Sequence, residues 1–173
     1  MNIIEIIWKD MIETDDYWII DDNKFIFKPE FNSEIDDSLY ELISKCDTLI
    51  FSNYSDCKIC EETNNECNQK YDKELKYSKF NLPIELKSGI RNLTFGFSFN
   101  QPIELKEGIV KLTFGWCFNQ PIELKSGIKN LTFGMDFNQP IELVEGIEDL
   151  TFGGGFNQPI ELVEGIEDLT FGS

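Results

Sequence analysis

The residues best equipped for chemistry lie in one polar stretch, where Cys57-x2-Cys60-x6-Cys67 places three thiols close together. The Cys57-x2-Cys60 spacing is that of half a zinc site. A closed site takes four ligands, and the chain has no histidine. The fourth ligand would then be Cys46 or a carboxylate such as Asp56. The same thiols could form a reversible disulfide, and free thiols are the plainest reading. The five cysteines, Cys117 included, are an odd count that argues against a disulfide framework. No Ser-His-Asp, Cys-His or phosphate-loop set exists in the sequence. Glu85, Glu104, Glu123, Glu142 and Glu161 recur in register, whereas catalytic carboxylates are singular. The expectation is a chain that is not an enzyme and carries no cofactor.

What must position these residues is a tandem repeat. From Phe80 onward the marker Phe80, Phe99, Phe118, Phe137, Phe156 returns every 19 residues, and the last two units share FNQPIELVEGIEDLTFG unchanged. A fixed period of this kind outranks local propensity. In the unit that starts at Phe118, the apolar positions are Phe118, Ile122, Leu124, Ile128, Leu131 and Phe133. Leu131-Thr132-Phe133 alternates in, out, in, as a short half-buried strand does. Glu123-Leu124-Lys125 makes a second extended side, and Gly127 and Gly134 fall at the corners. Pro121 cannot donate to a ladder, so its side is not a central strand. One unit is too small to fold alone and must stack on its neighbours. The fold expected is mainly β: a leucine-rich-repeat-like parallel β-solenoid of 19-residue coils with an N-terminal helix and hairpin cap. The column Asn81, Asn100, Asn119, Asn138, Asn157 reads as structural, each amide satisfying backbone groups inside the stack.

Three regions follow. Residues 1–51 form the cap with a degenerate repeat, residues 52–79 a polar cysteine-containing insertion, and residues 80–173 five tandem repeats. In the cap, Ile3, Ile4, Ile7, Trp8, Met11 and Ile12 lie on one helical face, and little helix is expected outside 3–13. Tyr17–Ile20 and Lys24–Phe27 flank Asp21-Asp22-Asn23, which reads as a hairpin. Phe25 to Phe51 fits the later frame if one coil is enlarged by some five residues.

Fifteen basic residues against thirty-two acidic ones give a net charge of −17. Such a surface repels phosphate backbones and anionic membranes, so neither nucleic acid nor membrane is an expected partner. No apolar run approaches the ~20 residues of a membrane helix. The start, MNIIEIIWKDMIE, is acidic where a signal peptide is basic. The chain is expected in the cytoplasm or nucleus.

The F-N-Q-P-I and L-T-F-G motifs resemble those of the FNIP repeat family of social amoebae and the giant viruses that infect amoebae. The resemblance covers residues 80–173, with Gln replacing the family's Ile in four units and F-N-L-P in the first. It implies a leucine-rich-repeat-like interaction protein, in a host cytoplasm if viral. Some family members carry an F-box, which would imply a ubiquitin-ligase adaptor, but residues 1–50 show no three-helix pattern and no leucine-proline start.

A protein partner, a basic one included, is expected on the outward side of the Leu-x-Phe strands. The columns there are Thr94, Thr113, Thr132, Thr151, Thr170, with Lys111, Asp149 and Asp168 before the leucines and Arg91, Lys129, Glu148 and Glu167 one place earlier. Unit charges run +1, 0, 0, −4, −4. The alternative is a cysteine-dependent zinc or redox module on a repeat platform. Weak end-to-end self-association through the last unit is a further expectation.

Overall fold

The computed structural model describes residues 11–55 and 76–172. It is mainly β, with nine strands in one sheet that follows chain order. The sheet begins as an antiparallel meander of β1 (Met11–Glu13), β2 (Tyr17–Ile20) and β3 (Lys24–Phe27). Between β2 and β3 the chain turns at Asp21 and Asp22, both at φ 51°, and the Asn23 N–H closes the turn on the Ile20 carbonyl at 3.1 Å. Left-handed backbone at both central positions matches the twist of a hairpin, and the Asp-Asp-Asn run tolerates it. The hairpin read from the sequence is therefore present.

From β3 onward every pairing is parallel. β3 pairs with β4 (Thr48–Phe51), Lys24 opposite Thr48 and Phe27 opposite Phe51. That offset exceeds the repeat period by five residues, as the degenerate frame anticipates. The extra length holds α1 (Asp37–Ile43), whose first turn is capped by Asp36, the Oδ1 accepting the Leu39 N–H at 2.9 Å. Its apolar side, Leu39, Leu42 and Ile43, packs on the core.

α1 is the one short helix among the described residues, in keeping with little helix outside 3–13. One expectation needs correction here. Met11 and Ile12 are not on a helical face but in β1, where they pair with Ile20 and Ile19. The ladder offered by β2 overrides a local helical period in so short a segment. Ile3, Ile4, Ile7 and Trp8 lie outside the described residues.

The repeats then add one strand each: β5 (Asn92–Thr94), β6 (Lys111–Thr113), β7 (Asn130–Thr132), β8 (Asp149–Phe152) and β9 (Asp168–Phe171). Like residues lie opposite one another, Leu93 on Leu112 on Leu131 on Leu150 on Leu169. Two columns of phenylalanines fill the interior. Phe114 stacks on Phe118 at 3.8 Å between ring centroids and on Phe133 of the next layer at 5.5 Å. Each ring thereby buries both faces, which a single unit cannot do.

The two repeated glycines serve different needs. Gly127 has φ 92° in the turn before β7, a conformation that favours glycine. Gly134 is required by proximity, since a Cβ there would sit 2.2 Å from the Gly115 carbonyl oxygen of the layer before. The Asn column is a hydrogen-bonded ladder that extends back into the degenerate layer. Asn32 Oδ1 accepts the Asn81 N–H at 3.1 Å, and the same bond recurs from Asn81 to Asn100 and onward to Asn157.

Candidate interaction face

The strand register brings the outward residues into columns. Trp18, Ile26, Ile50, Thr94, Thr113, Thr132, Thr151 and Thr170 follow one another across the sheet. Beside them run Thr48, Asn92, Lys111, Asn130, Asp149 and Asp168. The two ends of this face differ. Trp18, Ile26 and Ile50 are buried, on the side of the sheet away from the main core. Thr94 and Thr113 are buried too, at 3% and 8% exposure. These two threonines of the expected face are therefore closed to a partner in this conformation. They continue the buried Ile26–Ile50 column and are sandwiched between neighbouring strands. Thr132 and Thr151 are half-buried and Thr170 is exposed.

The flanking charges are more accessible. Arg91, Lys129, Glu167 and Asp168 are exposed, and Lys111, Glu148 and Asp149 half-buried. Where the sign changes along the stack, two cross-layer contacts form. Lys129 Nζ bridges to Glu148, and the Asn130 amide donates to the Asp149 carboxylate. The Lys129 ammonium is held above its ordinary pKa, first by the hydrogen bond to Glu148 and then by its charge. One layer further, Asp168 lies opposite Asp149 in register. Neither Glu167 nor Asp168 has an ion-pair partner among the described residues.

Sequence reasoning missed an aromatic edge. Tyr77 packs on Phe97 at 4.4 Å and Phe97 on Trp116 at 5.9 Å between ring centroids. Its signal is the position after the LTFG motif, which holds Phe97, Trp116 and Met135 in successive units. Also missed was the work of the Gln that replaces Ile in the motif. Gln120 and Gln139 donate from Nε2 to the Asn Oδ1 of the layer before, both at 3.1 Å.

Of the five thiols, Cys46 and Cys117 lie among the described residues. Cys46 is buried in the core, its Sγ 3.7 Å from the Leu42 carbonyl. Burial, then Asp47 and Asp22, push its pKa up to about 11, away from the thiolate that a metal needs. Cys117 is raised as well, by burial and then by Asp136. Cys57, Cys60 and Cys67, with Asp56, lie outside the described residues. Among the described residues no group of three or more Cys, Asp or Glu is arranged to hold a metal ion. The carboxylates Glu85, Glu104 and Glu123 are each bound by a lysine two residues on, at 2.9, 2.8 and 2.5 Å. Among the described residues, no helix is long and apolar enough to cross a membrane.

The model of the FNIP repeat family matches residues 118–147, a span that contains β7 and the Asn119–Asn138 bond. The chain contains an FNIP repeat over those residues. Comparison with curated proteins and with solved structures returns no match. In these FNIP repeats the invariant Phe and Asn of the motif face inward, one into the ring column and the other into the amide ladder. What varies from unit to unit lies outside, as the Lys111, Asn130, Asp149 series illustrates.

Proposed function

We propose that this protein is a non-enzymatic, leucine-rich-repeat-like β-solenoid that binds a protein partner. The contact surface is the open, acidic part of the sheet face, built from Thr132, Thr151 and Thr170 with Lys129, Glu148, Asp149, Glu167 and Asp168. Arg91 and Lys111 form its basic approach. What supports this reading is the unbroken parallel register from β4 to β9, which turns a sequence period into a flat column of side chains. Stacked carboxylates destabilise a sheet, so a use for them favours a basic partner. The setting that suits the net charge of −17 is the cytoplasm, with a virus–host or ubiquitin-adaptor role following from the family resemblance.

The test compares wild type with Glu167→Lys/Asp168→Lys in affinity capture from cell lysate, followed by titration of the purified captured protein. The reading expects the double variant to lose binding while its thermal unfolding stays close to wild type. Equal affinity of both proteins for the same partner would remove the sheet face from consideration.

A further inference from the structure

Each repeat has a second wall, the extended Pro-Ile-Glu-Leu run on the other side of the core from the sheet. Here the layers stack without a ladder. Hydrogen bonds between repeats run through the strands, through the corner, as from Asp136 N–H to the Trp116 carbonyl, and through the Asn column. Among the described residues none joins one Pro-Ile-Glu-Leu run to the next. Proline supplies no donor, and in the last two units Glu142, Glu161 and Leu162 of the run are exposed. Among the described residues, only at Glu85 is an N–H of the run taken up, by Tyr40 Oη at 3.1 Å. Shallow cavities open along this wall, of about 360 Å³ over residues 102–125 and of about 430 and 590 Å³ over residues 122–163.

The chemistry of the wall changes along the stack. In the first three units the glutamate is neutralised by the lysine two residues on, as in Glu123–Lys125. In the last two units Val144 and Val163 occupy the lysine positions. Glu142 and Glu161 are exposed and have no ion-pair partner among the described residues. The same wall is thus charge-neutralised at one end, and apolar with bare carboxylates at the other.

We propose that the wall over residues 140–163 is a docking groove for an extended segment of another protein that alternates cationic and apolar side chains. Charge complementarity fixes the occupant. Lysines or arginines meet Glu142 and Glu161, and apolar side chains cover the half-buried Val144 and Val163 and the exposed Leu162. The segment's main chain engages the unpaired backbone groups, as in strand addition to an open edge. This inference rests on the scaffold reading and places a contact on the wall across the core from the sheet face.

The test is a fluorescence-anisotropy titration at low salt with a short labelled peptide of alternating lysine and leucine, its glutamate–leucine counterpart serving as the negative probe. Val144→Lys/Val163→Lys, the closing pair, rebuilds the neutralised pattern with residues that the earlier repeats already accommodate, as at Lys125. Lys106→Val/Lys125→Val, the opening pair, does the reverse and extends the run of bare carboxylates. Thr151→Lys/Thr170→Lys adds the same charge to the sheet face. The groove predicts that closing weakens binding by about tenfold, that opening strengthens it, and that the sheet-face pair changes it by less than about threefold. Circular dichroism confirms that each variant is folded. Unchanged affinity after closing, with loss in the sheet-face pair, overturns the groove and leaves the sheet-face reading standing. Equal weakening by both lysine pairs reduces the effect to bulk charge and overturns it as well. Absence of binding to wild type also overturns it.

Discussion

The side-chain oxygen of Asn119 accepts the backbone N–H of Asn138 at 2.9 Å, from one repeat to the next, and the Gln139 Nε2 at 3.1 Å. Both lone pairs of one buried-side carbonyl are used, on a side of the layer where the strands do not reach. Asn119→Ala leaves the Asn138 N–H unpaired, while the Gln139 Nε2 keeps its second bond, to the Asn119 backbone carbonyl at 3.3 Å, and should cost ~1–3 kcal/mol. Gln139→Leu installs the residue type that Leu82 supplies in the first unit and should cost less than about 1 kcal/mol. Urea unfolding of the two variants checks the order. Equal losses would mean that the amide ladder does not hold the layers.

The ring columns set a second contrast. Phe133 is buried between Phe114 and Phe152, at 5.5 and 5.6 Å between centroids. Phe133→Ala should cost ~3–5 kcal/mol because the stack cannot collapse around the lost ring. Thr132→Ala, one residue away on the outward side, should cost less than about 1 kcal/mol. Thermal unfolding of both distinguishes inward from outward. If they melt together, the assignment of faces is wrong.

Two glycines in one repeat give a third contrast. Gly127→Ala meets no neighbour within 4 Å but inherits φ 92°, and strain of that kind costs ~1–3 kcal/mol. Gly134→Ala would force a Cβ to 2.2 Å from the Gly115 carbonyl. Backbone must move in every adjacent layer, so this variant should be the more destabilised, by more than about 3 kcal/mol. Chemical denaturation ranks them, and a reversed order would show that the layers can part locally at little cost.

The order of these effects traces what the sequence displays. A period of 19 residues places Leu131, Phe133 and Asn138 in their columns before any coordinate is known, because identical residues must stack on one another. The hairpin at Asp21-Asp22 is equally local in origin. α1 was missed although Asp36 stands three residues before Leu39, with Leu42 and Ile43 following, because the repeat frame drew that segment into an enlarged turn. Thr94 and Thr113 were read as open because each repeat in isolation puts Thr outward. Their burial appears only when the register carries the column back through Ile50 and Ile26. The sequence shows Lys106 and Lys125 but not their pairing with Glu104 and Glu123, which separates neutralised repeats from those with bare carboxylates.

Charge should act in opposite senses at the two ends of the stack. In the last two units Asp149 lies opposite Asp168, and like charges on neighbouring strands repel. Asp168→Asn should therefore stabilise the protein at pH 7 and low salt by roughly a few tenths of a kcal/mol, and the gain should fade as salt shortens the range of the repulsion. Near the other end, the Glu13 carboxyl is held below its ordinary pKa by the hydrogen bond from Lys28, then by that from Trp18 Nε1. A carboxyl with a depressed folded pKa contributes stability above its unfolded pKa, and that contribution is lost as pH falls through the folded pKa. Glu13→Gln should accordingly lower the melting temperature at pH 7, and the difference from wild type should close once the pH is below the folded pKa of Glu13. Melting curves of the two variants across pH and salt read both effects in one series. Stabilisation by Asp168→Asn that persists at high salt would show that repulsion between the stacked carboxylates is not its cause.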